Sequence, residues 1–208
     1  MRVRQHVNPM AASFDVFRGT PPVLDLTRPI EVEIGCAEAQ FLFERAAVDP
    51  QRQYVGLEIR EDLVDLVNKQ AATTGAPVHA VFCHAQVHAD MLFPEASVDR
   101  VYINFPDPWF KRRHHKRRMV DDVLMRSVAR MTKPGGDVLM QTDVWELAIE
   151  SLALFEGLEA YFVNQHEPWR FWRGRHPFGV RSWREMNAEQ TGLPIWRMLY
   201  RRTDTPLR

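Results

Sequence analysis

A single carboxylate stands between two prolines in Phe105-Pro106-Asp107-Pro108-Trp109, just ahead of Lys111-Arg112-Arg113-His114-His115-Lys116-Arg117-Arg118. Each proline fixes its own φ and restricts the residue before it, so the acid sits on stiff backbone. A rigidly placed carboxylate suits the edge of a purine, where it accepts from ring N–H and amine donors. The six Lys or Arg and two His that follow contain no interleaved acid. Such a run beside a candidate site suits phosphate contact, and RNA is the first polyanion to consider. The plain alternative is a surface-turn acid beside a solvated charged face. His114 and His115 are open between extra donors and spacers.

A second constellation is the loop Glu33-Ile34-Gly35-Cys36-Ala37-Glu38-Ala39. A strand, a glycine turn, small residues and a helix start let backbone N–H groups approach a ligand. With one glycine it matches Gly-rich fingerprints weakly, and ordinary strand-to-helix packing explains it as well. Glu58 ends the next strand, where a carboxylate holds ribose hydroxyls. There is no Walker lysine. These features suit an adenosyl ligand without phosphates and point to S-adenosylmethionine.

Other motifs carry two readings each. Asp143, after Met140-Gln141-Thr142, is a helix cap or, at a strand's carboxyl edge, a substrate contact. Trp169-Arg170-Phe171-Trp172-Arg173-Gly174-Arg175-His176 interleaves aromatic and basic residues, either to stack bases or to pack inward as a lid. His79, Cys83, His84 and His88 have a superficial ligand spacing, but neither a CxxC nor a helical His pair supports a metal, and none is expected. His84, at a strand end, borders an adenine pocket more readily.

The elements that must position these residues follow from periodicity. Strands are expected at 30–34, 54–57, 78–83, 98–105, 137–141 and 195–200. Helices are expected at 39–48, 61–74, 119–131 and 144–157, with Lys133-Pro134-Gly135-Gly136 as a turn. Residues 1–29, bearing Pro9, Pro21, Pro22 and Pro29, read as an arm over a single domain at 30–208. Alternating strands and helices imply an α/β fold with a mostly parallel sheet covered on both faces. Ligands of such sheets sit beyond the carboxyl ends of the strands.

The chain has 208 residues, enough for one well-buried domain. Lys plus Arg is 27 and Asp plus Glu is 27, so positive charge serving a nucleic acid must be clustered. Two distant cysteines, Cys36 and Cys83, argue against a disulfide scaffold and fit a reducing cytosol. No signal-peptide core or bilayer-length apolar run is present, so a soluble cytoplasmic protein is expected. Monomer and homodimer are both open.

In these residues the chain resembles the bacterial tRNA (guanine-N7-)-methyltransferase family. The resemblance rests first on Phe105 to Trp109 with Lys111 to Arg118. It extends to Arg2-Val3-Arg4-Gln5-His6-Val7-Asn8-Pro9, to Gly35-Cys36-Ala37 and to Gly56-Leu57-Glu58-Ile59-Arg60-Glu61. It implies a Rossmann-like class I fold with a seven-stranded sheet. It also implies methyl transfer from S-adenosylmethionine to N7 of a guanosine in the tRNA variable loop. Glu33, Glu58, His84 and Asp107 fall where the family places donor contacts, with Gly35, Cys36, Ala37, Ile59, Ala85 and Asn104 around them. Asp107 is the expected catalytic residue. Lys111, Asp143, Ser182 and Glu185 fall where it places substrate contacts, joined by Arg113, His114, Lys116 and Arg117. Ala37 and Ala39 stand where many members have glycine, His84 where Asn or Asp is usual, and Ser182-Trp183-Arg184-Glu185 replaces a Thr-x-x-Glu pattern. The competing functions are a methyltransferase of a small heteroaromatic molecule and a non-catalytic RNA-binding protein on the same fold.

Overall fold

A computed structural model describes residues 7–207. Seven strands form one sheet: β1 Ile30–Ile34, β2 Gln53–Glu58, β3 Val78–Phe82, β4 Val98–Asn104, β5 Thr132–Thr142, β6 Phe162–Asn164 and β7 Trp196–Arg202. Their order is β3-β2-β1-β4-β5-β7-β6. The first five strands run parallel, and β7 enters antiparallel between β5 and β6. The helices are α1 Gln40–Val48, α2 Glu61–Thr74, α3 Ala85–Leu92, α4 Asp122–Met131, α5 Trp145–Gly157 and α6 Trp183–Gln190.

Two apolar layers cover the sheet. Ile30, Val32, Ile34, Val101, Ile103 and Met140 face α3, α4 and α5. Tyr54, Tyr102 and Leu139 face Phe41 and Leu42 of α1 and Val64 and Val67 of α2. This is why β1 is buried at all five positions although its sequence alternates apolar and acidic. Glu31 survives there because it accepts from Arg45 at 2.9 Å, Arg100 at 2.7 Å and the Tyr102 hydroxyl at 2.8 Å.

Four expectations shift. α3 was not legible, because one short helix carries too little periodicity, and it buries His88, Ala89 and Leu92. β6 and α6 sit in the stretch read as irregular. α4 starts at Asp122, three residues later than expected, since the Asp121 side chain accepts from the Leu124 N–H at 2.9 Å and caps it. The Lys133 to Gly136 segment bulges within β5: Val98 pairs with Thr132, but Arg100 pairs with Asp137.

The described part of the arm lies along the β3 edge of the sheet. Phe14 meets Phe82 edge-on at 6.4 Å between ring centroids, and Phe17 meets His88 at 5.4 Å. Arg28 donates to the carbonyls of Pro50, Gln51 and Arg52, each at 2.9 Å. Residues 1–6, and with them the first residues of the arm reading and of the family-like opening, lie outside the described residues.

Candidate active site

The chain winds from β1 through β2 to β3 on one side and from β4 to β5 on the other. Strand order reverses between β1 and β4, which is where ligands of such sheets bind. At its carboxyl edge a side-chain bond spans the crevice: Asn104, the last residue of β4, donates from Nδ2 to Glu33 Oε1 at 2.7 Å. The other oxygen of Glu33 is buried without a hydrogen-bond partner. Burial, with repulsion from Glu58 added, pushes the Glu33 carboxyl up to about 8, against the Asn104 bond that lowers it.

The loop after β1 is strained. Gly35 has φ +78°, which glycine accepts freely, but Ala37 and Ala39 hold φ of 50° and 53°. A carboxylate stabilises this turn: Glu58 Oε2 accepts from the Ala37 N–H at 2.9 Å, and Glu58 Oε1 accepts from the Ile59 and Arg60 N–H groups. Arg60 pairs with both oxygens of Glu58 at 2.9 Å. Gly56 permits the close approach of this loop, since a Cβ there would lie 2.4 Å from Cys36 Sγ. Cys36 is buried, and burial pushes its thiol up, with the Glu33 and Glu58 charges adding to the effect. His84 caps α3 with extended backbone and lies beside Phe14, at 6.4 Å between rings. Burial, joined by His88, holds its imidazole below the usual range. Ala85 opens α3 directly after it.

The residues fit S-adenosylmethionine. Two carboxylates line the crevice, Glu58 paired with Arg60 and Glu33 with one oxygen unpartnered, and that free acceptor suits a ligand's N–H or O–H donor better than a phosphate. A phosphate-free adenosyl ligand satisfies that donor and acceptor set.

Asp107 is exposed, on a loop whose flanking residues Phe105 and Trp109 hold φ of 49° and 45°. It follows three residues after Asn104, whose side chain bonds Glu33. The Arg60 guanidinium is raised above its ordinary range first by its bonds to Glu58, with Glu38 and Asp107 contributing charge. The basic run forms a 3₁₀ turn over Arg112–Arg117. Lys111, Arg112, Arg113 and Lys116 are exposed on it, while His114 and Arg117 are half-buried. Arg117 stacks over the Trp109 ring at 5.1 Å, and His114 meets that ring edge-on at 5.9 Å. Arg118 leaves the cationic face altogether: it is 5% exposed and pairs with Glu150 on α5. The solvent-facing cluster therefore ends at Arg117, because Arg118 is used to anchor the turn.

The third group lies after β5. Asp143 pairs with Arg184. Ser182 caps α6, its Oγ accepting from the Glu185 N–H at 3.2 Å. Glu185 is 0% exposed, and both its oxygens are engaged: Oε1 by Arg197 at 2.5 Å and Oε2 by Gln141 at 3.0 Å. In this conformation it lies beneath the surface and presents no oxygen to a substrate. Sequence reasoning did not single out Gln141 or Arg197, and it read Arg118 only as one more member of the cationic run. A glutamine closing the apolar run Val138-Leu139-Met140 was the available signal. The Trp169 to His176 segment divides between its two readings: Trp169 is 62% exposed, whereas His176 is buried against Phe41 and Tyr102.

A family of putative methyltransferases matches residues 27–198. The tRNA (guanine-N(7)-)-methyltransferase of Synechococcus sp. (strain WH7803) is 37% identical over 99% of this chain and 90% of its own. That of Microcystis aeruginosa is 35% identical over 97% and 98%. Among solved structures, a mutant of the 16S rRNA (adenine(1408)-N(1))-methyltransferase from Catenulisporales acidiphilia aligns with a TM-score of 0.60 at 15% identity, covering 93% of this chain and 100% of that one. The aminoglycoside resistance methyltransferase NpmB1 aligns at 0.54 and 16%, covering 85% and 88%. These two share the fold, a Rossmann-like class I methyltransferase sheet. With a family model over most of its length and relatives above 30% identity over nearly all of it, the chain belongs to the tRNA (guanine-N(7)-)-methyltransferase family.

Proposed function

We infer that this protein methylates N7 of a guanosine in tRNA, in the variable loop, with S-adenosylmethionine as the donor. One observation carries the reading: an exposed carboxylate, Asp107, follows three residues after Asn104, whose side chain bonds Glu33, and Arg118 ties the basic turn to the same loop.

N7 of guanine carries an in-plane lone pair, so no general base is required. When bound, the donor supplies an already activated sulfonium methyl. The protein's own work is to bind and align. Glu58 and the Ala37 turn hold the ribose end, Glu33 offers its unpaired oxygen to the cationic end, and His84 and Ala85 border the base, with Gly35, Cys36 and Ile59 shaping the wall. Asp107 accepts from guanine N1–H and the exocyclic amine, which orients the ring and offsets the positive charge it gains on alkylation. Lys111, Arg113, His114, Lys116 and Arg117 contact phosphates. Asp143 and Ser182 border the base, and Glu185 supports them from beneath. Exposing N7 requires the base to leave its stack, which costs a few kcal/mol, offset by stacking and phosphate contacts.

A small heteroaromatic substrate would need no such cationic turn, which disfavours that alternative. Among the described residues no helix is long and apolar enough to cross a membrane. A tRNA substrate supports a cytoplasmic location.

The test is incubation with bulk tRNA and labelled donor, followed by borohydride and aniline cleavage at N7-methylguanosine. Cleavage at one variable-loop guanosine is the expected result. Donor turnover on a small heteroaromatic compound with tRNA left unmodified would overturn the reading.

A further inference from the structure

A polar chain, buried except at half-buried Asn104, crosses the sheet's carboxyl edge from the substrate side to the donor side. It begins at Arg197 on β7, 7% exposed, whose Nη2 pairs with Glu185 Oε1 at 2.5 Å and whose Nε donates to Gln141 Oε1 at 3.1 Å. Gln141 on β5 is 0% exposed. Its Nε2 donates to Glu185 Oε2 at 3.0 Å and to Asn104 Oδ1 at 2.9 Å. Asn104 Nδ2 then donates to Glu33 Oε1 at 2.7 Å.

The direction of this chain is not free. A guanidinium has only donors, so Arg197 requires the oxygen of Gln141 to face it. The amide nitrogen of Gln141 then faces Asn104, where only the oxygen of Asn104 accepts it. That leaves the Asn104 nitrogen, and not its oxygen, against Glu33. Each amide is oriented by the one before it. The main chain adds a second grip, because the Phe105 N–H donates to the Gln141 carbonyl at 2.8 Å at the start of the Asp107 loop.

We propose that Gln141 and Arg197 are positioning residues: the Arg197 guanidinium, acting through Gln141 and Asn104, sets the polarity with which Glu33 is presented to the donor and couples that carboxylate to Glu185 under α6. Neither residue touches substrate. The proposal rests on Glu33 being a donor-binding carboxylate.

Charged or titratable groups facing Glu33 are Glu58 at the end of β2 and Cys36 in the loop after β1, and both stay in place in the variants below. Calorimetric titration with S-adenosylhomocysteine from pH 6 to 9.5 reads the ionisation of Glu33, since its charged form binds the cationic end. The ligand's own amine titrates alike in every arm. In Gln141→Met, Asn104 loses its fixed orientation, so the pH break in affinity should move up by about one unit, a tenfold loss of affinity at neutral pH. Asn104→Ala should do the same, and the double variant should shift no further than Asn104→Ala alone. Turnover on tRNA should fall in parallel. Gln141→Leu also loses the donor without adding charge, and substitutes for Gln141→Met if that variant does not fold. An unmoved break in a folded Gln141 variant, or an additive double variant, overturns the proposal. If the unaltered protein fails to methylate tRNA, the functional reading fails, while this donor-binding test stands on its own.

Discussion

Arg118 donates from Nε to the carbonyl oxygen of Pro108 at 2.8 Å, so the last residue of the basic run clamps the loop that carries Asp107. Its Nη1 is held by Glu150 on α5. The acid and the cationic turn are thus one unit. Arg118→Met should free that loop while leaving the Gly35 crevice intact. Turnover should drop by about 10² at saturating donor, because small misplacements of a positioning group are that costly. Steady-state kinetics with donor affinity measured in parallel checks this, and equal losses in both would show a wider collapse.

Asp107→Ala removes the acceptor proposed for the guanine edge. A loss of about 10²–10³ in turnover is expected if the carboxylate offsets developing charge. Donor binding by calorimetry should stay within about threefold. Parallel loss of donor affinity would reassign Asp107 to the cofactor.

Arg117 stacks on Trp109 yet remains half-exposed at the end of the cationic face. Arg117→Ala should weaken tRNA binding and reduce the slope of log affinity against log salt by about one. Filter binding across a salt series measures that slope. An unchanged slope removes Arg117 from the phosphate contacts and leaves it as a support for Trp109.

Glu33 binds its proton more tightly in the fold than in the unfolded chain, with its carboxyl raised from 4.5 to about 8. Its contribution to stability is therefore fully present below the unfolded value and is lost as pH rises through about 8. Glu33→Gln removes that loss. Without ligand, the variant should melt at least about 4 °C above the unaltered protein at pH 8.5 and close to it at pH 5. Thermal melts at the two pH values decide the matter. A gap of the same size at both would mean that packing, not ionisation, separates the two proteins.

Ala37 holds a left-handed φ of 50° in the donor loop. Relieving that strain with Ala37→Gly should stabilise the fold by about 1 kcal/mol, less what glycine adds to the entropy of the unfolded chain. A melting rise of about 1–3 °C is expected, with donor affinity retained. A fall in melting temperature would mean that the methyl packs better than the turn is strained.

Local sequence determined the α/β alternation, the turn after β1, Glu58 at the end of β2 and the stiff loop around Asp107, whereas Glu33 as a donor contact is implied only by the family resemblance. The first four follow from periodicity, glycine or proline within a few neighbouring residues. Tertiary structure alone decided the rest. Arg118 belongs to a run that reads as one phosphate-contacting patch, but it faces Glu150, thirty-two residues away. Glu185 reads as a substrate contact, yet Arg197 on the antiparallel strand draws it inside. Gln141 reads as one more strand residue until Asn104 and Arg197 come to flank it on adjacent strands. A side chain's hydrogen-bond partners across a sheet depend on strand order and register, and no pattern within one strand encodes either.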